Sequence, residues 1–458
     1  MAQTELTVFA HIASGFVPAG LVELTEINNA VEASSFAYGT RYLDRPEAFE
    51  VDPVSLSLRD KAPVRGVHLF PVNQLTQFGG IRDAAPDAWG RRVIEAHRKV
   101  PANSLPESAY LIEAGSERVG ALDVRETRDA APRTGVGAVH SLQYLLETVE
   151  RVERGESVPT RLTDLLGSGA GAGGARPKAS ARDEQGVLWL AKFSSVSDTF
   201  DVARAESATL KLARLCGMTV PEAKVLELGT KPCLLIRRFD RYWQNANELL
   251  APGVALYETE PKPGATEHRL PFASGLTMAA CDEMESRLKG YDDLAHAIRA
   301  RAHPDAIRAD NRELFARMVF NIMVSNDDDH LRNHGFVLDP VMKGWRLSPL
   351  YDVVPRPGNA YQRFLHLKVG QQGKLATLDN AMSGYAAFSL SRPEAVAVIA
   401  KICAQVAKWK SVFEEFGVQG RLIDTLAPAF RDILEVASAE LYEQIERAAQ
   451  MAPPRQGR

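Results

Sequence analysis

From Leu6 to Leu58 the apolar positions come in short runs broken by turn residues: LTVFAHI, GFVPAGLVEL, SSFAYGTRYL and VDPVSLSL. That rhythm predicts strands and a small β-rich region. The segment Asp83 to Lys99 changes period and predicts a helix entered after Pro86, and Ser141 to Arg154 predicts another beyond a polar loop from Glu126 to Gly137. KASAR, a DEQG turn and VLWLAKF then read as strand, turn, strand. Ala203 to Leu215 has helical spacing and stops before Gly217, a C′ glycine. AKVLEL and CLLIRRF, joined across Gly229 and Thr230, predict two further strands. Past a loop from Tyr242 to Pro271 the chain turns mostly helical. Leu314, Phe315, Met318, Val319, Ile322 and Met323 form a doubled stripe between Glu313 and Ser325, the mark of a buried helix. Strands GFVLD and GWRLSPLYD follow, then amphipathic helices from Ser391 and a tail, PPRQGR, expected to be disordered.

At 458 residues the chain has about three domain equivalents and can bury a core without disulfide or metal staples. Hydrophobic residues at 45% and charged residues at 24% exclude a mainly disordered chain. Lys+Arg 54 against Asp+Glu 58 gives a net charge of -4, which argues against wholesale coating of nucleic acid. Cys216, Cys233, Cys281 and Cys403 sit at no C-x-x-C or zinc-ligand spacing, as in a reducing cytosol. The N-terminus lacks a basic n-region, and no apolar run approaches the roughly 20 residues that span a bilayer. A cytoplasmic protein without membrane contact is expected.

Composition breaks at GSGAGAGGARPK, Gly167 to Lys178, where Gly169, Gly171 and Gly174 satisfy G-x-G-x-x-G. A flexible linker gives the same match. A dinucleotide fold needs the motif to open a helix, which Pro177 and the alternating KASAR oppose, and no Walker lysine follows. A glycine loop between two strands, covering nucleotide phosphates as in protein kinases, remains. Lys192 closes the second strand and Glu206 lies in the first turn of the next helix, the chain order of a kinase phosphate-binding lysine and its glutamate. The bland alternatives are a solvated edge lysine and an acid favouring the helix dipole.

Asp327, Asp328 and Asp329 sit with His330, Asn333 and His334 just past the buried helix. Phosphoryl transfer asks for a carboxylate that orients the acceptor hydroxyl and an amide oxygen for Mg²⁺, spaced D-x-x-x-x-N. Only Asp328 has Asn333 at that step, so it is the candidate base. Asp352, beyond a short hairpin, offers the second metal carboxylate. Zinc on His330 and His334 is the rival, disfavoured by hard oxygen neighbours and the lack of a nearby cysteine.

These residues, G-x-G-x-x-G-A-R-P-K, A-K-F at Ala191 to Phe193, R-F-D-R at Arg238 to Arg241, N-D-D-D-H-L-R-N at Asn326 to Asn333 and S-P-L-Y-D at Ser348 to Asp352, resemble the HipA-like serine/threonine kinases of bacterial toxin–antitoxin modules. FAYGTRYLDRPEAFEVDPVSLSL and PDAWGRR look like that family's small N-terminal β-rich domain, so the resemblance covers nearly the whole chain. It implies an α+β, protein-kinase-like two-lobed fold: 1–125 as the β-rich subdomain plus helix, 126–240 as the nucleotide-binding N-lobe region, 241–450 as the helical C-lobe and 451–458 as a disordered tail. It implies ATP and Mg²⁺ as cofactors, Asp328 as base, His330 hydrogen bonding in the catalytic loop, and Asn333 and Asp352 on the metal. The nucleotide would meet Gly169, Gly171, Gly174, Lys178, Lys192 supported by Glu206, and Phe239 and Asp240 in the adenine-side linker. The implied partners are a protein substrate such as an aminoacyl-tRNA synthetase and a helix-turn-helix antitoxin of HipB type, with DNA touched only through the antitoxin. Two departures stand out. Gly171 occupies the place of a regulatory loop serine, leaving Ser168 or Ser180 as substitutes, and Arg237 replaces an acidic residue before R-F-D. A small-molecule or lipid kinase and a non-catalytic nucleotide-binding corepressor are the alternative functions.

Overall fold

The computed structural model describes residues 2–13, 15–135, 137–156, 174–246, 248–251 and 253–451. They form two compact units, neither a single stretch of sequence. The first comprises the described parts of Met1–Thr199, Pro221–Asp282 and Gly335–Trp345; the second, those of Phe200–Val220, Glu283–His334 and Arg346–Arg458.

In the first unit β1 (Ala2–Ile12), β2 (Gly15–Ile27) and β3 (Ala30–Tyr38) make the antiparallel sheet that the N-terminal runs predict. Leu6, Val8, Ala10, Val22, Leu24 and Phe36 build its core. Asn28 and Asn29, at φ 50° and 68°, join β2 to β3. Consecutive left-handed residues match the strand twist, and asparagine tolerates them. The β1–β2 register shifts where Phe9 faces Pro18, a bulge suiting a residue without an N–H. Gly20 allows close approach here, because a Cβ would meet the Phe36 ring at 2.4 Å.

VDPVSLSL is not a strand. Asp52 Oδ1 accepts from Val54 N at 2.7 Å and Ser55 N at 2.8 Å, folding the segment into a turn at Asp52-Pro53. A side chain that satisfies its own downstream amides competes with sheet pairing. Helix α1 (Ala88–Arg98) starts behind Asp87, whose side chain caps Gly90 N. β4 (Leu122–Arg125) completes the first sheet against β1.

The second sheet of this unit has the order β5-β6-β7-β9-β8, from β5 (Gly137–Ala138), β6 (Lys178–Arg182), β7 (Leu188–Phe193), β8 (Ala223–Leu228) and β9 (Lys231–Arg237). Leu142, Leu145, Leu146, Val149 and Val152 of helix α2 (Leu142–Glu153) share a core with Ala179, Ala181, Trp189, Ala191 and Phe193 of this sheet and with Trp89 of α1. The unit also holds an antiparallel pair of β10 (Arg241–Asn245) with β11 (Ala265–Arg269), and another of β12 (Phe272–Ser274) with β13 (Gly335–Asp339).

The second unit is helical: α3 (Val202–Leu215), α4 (Tyr291–Arg301), α5 (Pro304–Val324), α6 (Arg392–Val406) and α7 (Ala439–Met451), with shorter turns between. Helix α5 begins at Pro304, well before the expected Glu313, because proline is accepted at a helix start and the first turns carry too few apolar residues to show the stripe. Phe315, Met318, Val319 and Phe320 are fully buried. The strand expected over GWRLSPLYD ends at Leu347. Pro349 lacks an N–H, and Leu350 N bonds Thr219 O at 2.8 Å instead.

Candidate active site

The catalytic-loop candidates all fall in the second unit, where α5 stops. Ser325 adopts φ 52° and caps onto Asn321 O, turning the chain sharply. Asn326 N follows onto the same oxygen at 3.0 Å. Of the three aspartates, Asp329 is buried and accepts from Asn321 Nδ2 at 2.8 Å, His334 Nε2 at 2.9 Å and the Tyr291 hydroxyl. Burial alone raises its pKa, but His334 and these hydrogen bonds outweigh that and hold it below the usual carboxylate range. Burial and Asp329 together push the Tyr291 phenol well up, keeping it a donor.

With Asp329 as the anchor, Asp328 points outward and its side chain is 56% exposed. Its carbonyl accepts from His330 N and from Asn333 Nδ2, both at 2.9 Å. Asn333 thus spends its amide nitrogen on the loop, and its Oδ1 is a hard oxygen. The His330 ring sits edge-on to His366 at 5.8 Å between centroids. Tyr351 donates its hydroxyl to Arg332 O at 2.8 Å, and buried Arg317 donates to Ser348 O at 2.6 Å. These bonds fix the segment that ends in Asp352, a half-buried residue in left-handed backbone at φ 58°. Arg356 lies four residues further on, its guanidinium 2.8 Å from Asp328 Oδ2 and 3.1 Å from Asp327 Oδ1.

The expected pair for Mg²⁺, Asn333 and Asp352, offers hard oxygens, the ligand type that suits an ion which takes few protein ligands and completes its shell with water and phosphates. No group of three or more His, Cys, Asp or Glu side chains arranged for a metal occurs among the described residues.

Of the nucleotide candidates of the first unit, Lys178 and Lys192 lie on the five-stranded sheet. Gly169 and Gly171 lie outside the described residues, as does Ser168. Gly174 has φ 94°, open to glycine at little cost. Lys178 and Lys192 face each other across β6 and β7, both buried. Like charges in that position repel. Lys178 resolves the conflict by pairing with Asp87 Oδ2 at 2.8 Å while donating to Gly174 O at 3.1 Å. Glu206 is buried in α3 of the second unit.

Phe239 packs beside Phe272, 6.2 Å between ring centroids. Asp240 is buried and takes Arg238 Nε at 2.7 Å on one oxygen, and Arg241 NH1 at 2.6 Å and Gly120 N at 2.7 Å on the other. Burial would raise its pKa, but Arg238 and Arg241 drive it far below the usual range. Ser180 is fully buried with Arg238 NH1 3.3 Å from its hydroxyl, so no kinase reaches it without opening the sheet.

Sequence reasoning missed Asp87, Asp329's anchoring role with Tyr291 and Asn321, and Arg356. The PDAWG and PRP motifs were visible, but their contacts are long-range.

A family model for the HipA-like C-terminal domain matches residues 170–410, more than half of the chain and including the segment from Asp327 to Asp352. The chain belongs to the HipA family. It is similar in structure to HipA of Shewanella oneidensis MR-1, solved in a toxin–antitoxin complex with HipB and operator DNA. The TM-score is 0.60 at 14% identity, with 96% of this chain and 97% of that one covered. The Helicobacter pylori proinflammatory kinase CtkA matches with TM-score 0.40 at 14% identity over 61% of this chain and 92% of that chain. No curated protein matches. The HipA-family fold is thus the α+β, kinase-like one expected from the sequence. Among the described residues no helix is long and apolar enough to cross a membrane.

Proposed function

We propose that this HipA-family protein is an ATP- and Mg²⁺-dependent serine/threonine protein kinase of a toxin–antitoxin module. The observation that carries this reading is the division between neighbouring aspartates: Asp329 is buried on three donors, so that Asp328 stands out toward solvent beside the Asn333 amide. A solvated acidic loop needs no such scaffold.

Asp328 orients the acceptor hydroxyl and receives its proton as the oxygen attacks the γ-phosphorus. The new O–P bond forms while the bond to the β-phosphate oxygen breaks, leaving ADP. Asn333 Oδ1 and the Asp352 carboxylate would hold Mg²⁺, which would supply positive charge against the phosphates. Lys192 and the glycine loop ending at Gly174 are the first unit's groups for the phosphate oxygens. Lys178, paired with Asp87, holds the Gly174 carbonyl, and Asp240 braces the linker that carries Phe239. The acceptor is a protein serine, with an aminoacyl-tRNA synthetase as the favoured target class and growth arrest as the result. The presence of HipB and operator DNA with the Shewanella protein supports a helix-turn-helix antitoxin as partner, with DNA reached through it.

The test is transfer of label from the γ-phosphate of ATP to protein in cell extract, wild type against Asp328→Asn. The variant should lose about 100-fold or more, the usual worth of a positioned base. Equal labelling by both proteins would end the kinase reading, and label confined to metabolites would make the protein a small-molecule kinase.

A further inference from the structure

Two arginines of the segment after Asp352 return to the catalytic loop, and both belong to the second unit. Arg363 NH1 donates to Ser325 Oγ at 2.5 Å and its NH2 to Pro428 O at 2.6 Å. Arg356 N donates to Ser325 O at 3.2 Å, while its guanidinium bridges Asp327 Oδ1 at 3.1 Å and Asp328 Oδ2 at 2.8 Å. Pro355 and Pro357 flank it. Proline fixes its own φ and confines the preceding residue to extended backbone, so Arg356 is held ready from both sides.

We infer that Arg356 is a positioning residue for phosphoryl transfer: it grips Asp328 by Oδ2, uses Asp327 as its second foothold, and so presents Oδ1 to the acceptor hydroxyl. The inference rests on the kinase reading above. Among the described residues Oδ1 of Asp328 accepts no hydrogen bond, whereas Oδ2 is taken. A planar fork is suited to this, since it can bridge two carboxylates while fixing the orientation of each. All three side chains are about half exposed, 53% for Arg356, 54% for Asp327 and 56% for Asp328. An exposed pair of this kind adds little to stability. Its consequence is local, on the rotamer of a carboxylate that takes no other side-chain hydrogen bond among the described residues. Asp327 then has a job of its own: without it the guanidinium has one anchor and can swing.

Arg356→Ala in the full-length protein should lower kcat for γ-phosphoryl transfer by roughly 10- to 100-fold, the size expected of a mispositioned reacting group. KM for ATP and the thermal midpoint should stay at wild-type values. Added guanidinium ion should restore part of the rate to Arg356→Ala and none to Asp328→Asn. Arg356→Ala that keeps or exceeds the wild-type kcat, or that guanidinium does not rescue, overturns the inference while the kinase reading stands. A readout without turnover separates the two: the Arg356 Nη–H that donates to Asp328 Oδ2 should give a protected NMR resonance that is lost in Asp327→Asn. Absence of that resonance in wild type overturns the inference directly. Its presence in a protein that transfers no phosphate removes the kinase reading and takes the catalytic role with it.

Discussion

Lys178 and Asp87, 91 residues apart in sequence, form a buried ion pair in the first unit, Nζ to Oδ2 at 2.8 Å. Each partner does a second job. Asp87 Oδ1 caps helix α1 through Gly90 N at 2.8 Å, and Lys178 Nζ reaches the carbonyl of Gly174 at 3.1 Å. The Lys178 carbonyl accepts Trp89 Nε1 at 2.9 Å, a second tie between the same two segments. The exit of the glycine loop is thereby fastened to the start of a helix.

Asp87→Ala should therefore destabilise the protein by about 3–5 kcal/mol, because it strands a buried ammonium and removes a helix cap. Asp87→Ala combined with Lys178→Met should recover part of that loss, since no unpaired charge remains. Denaturant titrations of the four proteins of this cycle give the coupling. Additive losses would mean that the pair is not energetically coupled.

The adjacent aspartates of the catalytic loop should separate into two phenotypes. Asp328→Asn keeps the fold and loses phosphoryl transfer. Asp329→Ala leaves Tyr291, Asn321 and His334 facing a cavity and should cost about 3 kcal/mol or more before any question of activity arises. Thermal unfolding beside the labelling assay distinguishes them, and a shared stability loss would contradict the assignment of one anchor and one working carboxylate.

Asp310 offers a pH test. Burial raises its pKa to about 6, against the bond from Leu347 N at 2.8 Å and the nearby Arg346, which lower it. In the window from about 4, the unfolded value, to about 6, the folded state binds more protons than the unfolded one, so stability falls as pH rises. The contribution amounts to roughly 3 kcal/mol. Asp310→Asn keeps an acceptor for Leu347 N and carries no titration, so its stability should decline less than wild type between these pH values. Parallel curves from urea unfolding at pH 4.5 and 6.5 would exclude Asp310 as the source.

What was legible in the sequence was local. The Asp328 to Asn333 step, the doubled stripe of α5 and the alternation of KASAR in β6 all act within a few residues, where spacing determines geometry. Their anchors are not local: Tyr291 lies 38 residues from Asp329, and Asp87 lies far from Lys178. Asp87 in PDAWG reads as a helix cap, which it is, and nothing in its neighbourhood announces the lysine. VDPVSLSL misled for the opposite reason. Its apolar alternation is real, but Asp52 satisfies the next amides itself, and turn chemistry overrode the strand period.

Asp352 joins backbone conformation to chemistry, and the two can be separated by substitution. Its φ of 58° lies in the left-handed region, where a Cβ costs about 1–2 kcal/mol and asparagine and aspartate are the residues that bear it best. Asp352→Asn keeps the backbone preference and removes the charge; Asp352→Ala loses both. The expected order is that Asp352→Asn unfolds at a denaturant midpoint above that of Asp352→Ala, by about 1 kcal/mol in stability, while both lose turnover at saturating Mg²⁺. Under the proposed function a neutral amide in place of the carboxylate should also raise the Mg²⁺ concentration needed for any residual transfer. Should Asp352→Asn transfer phosphate at the wild-type rate and with the wild-type Mg²⁺ dependence, Asp352 holds the turn but not the metal.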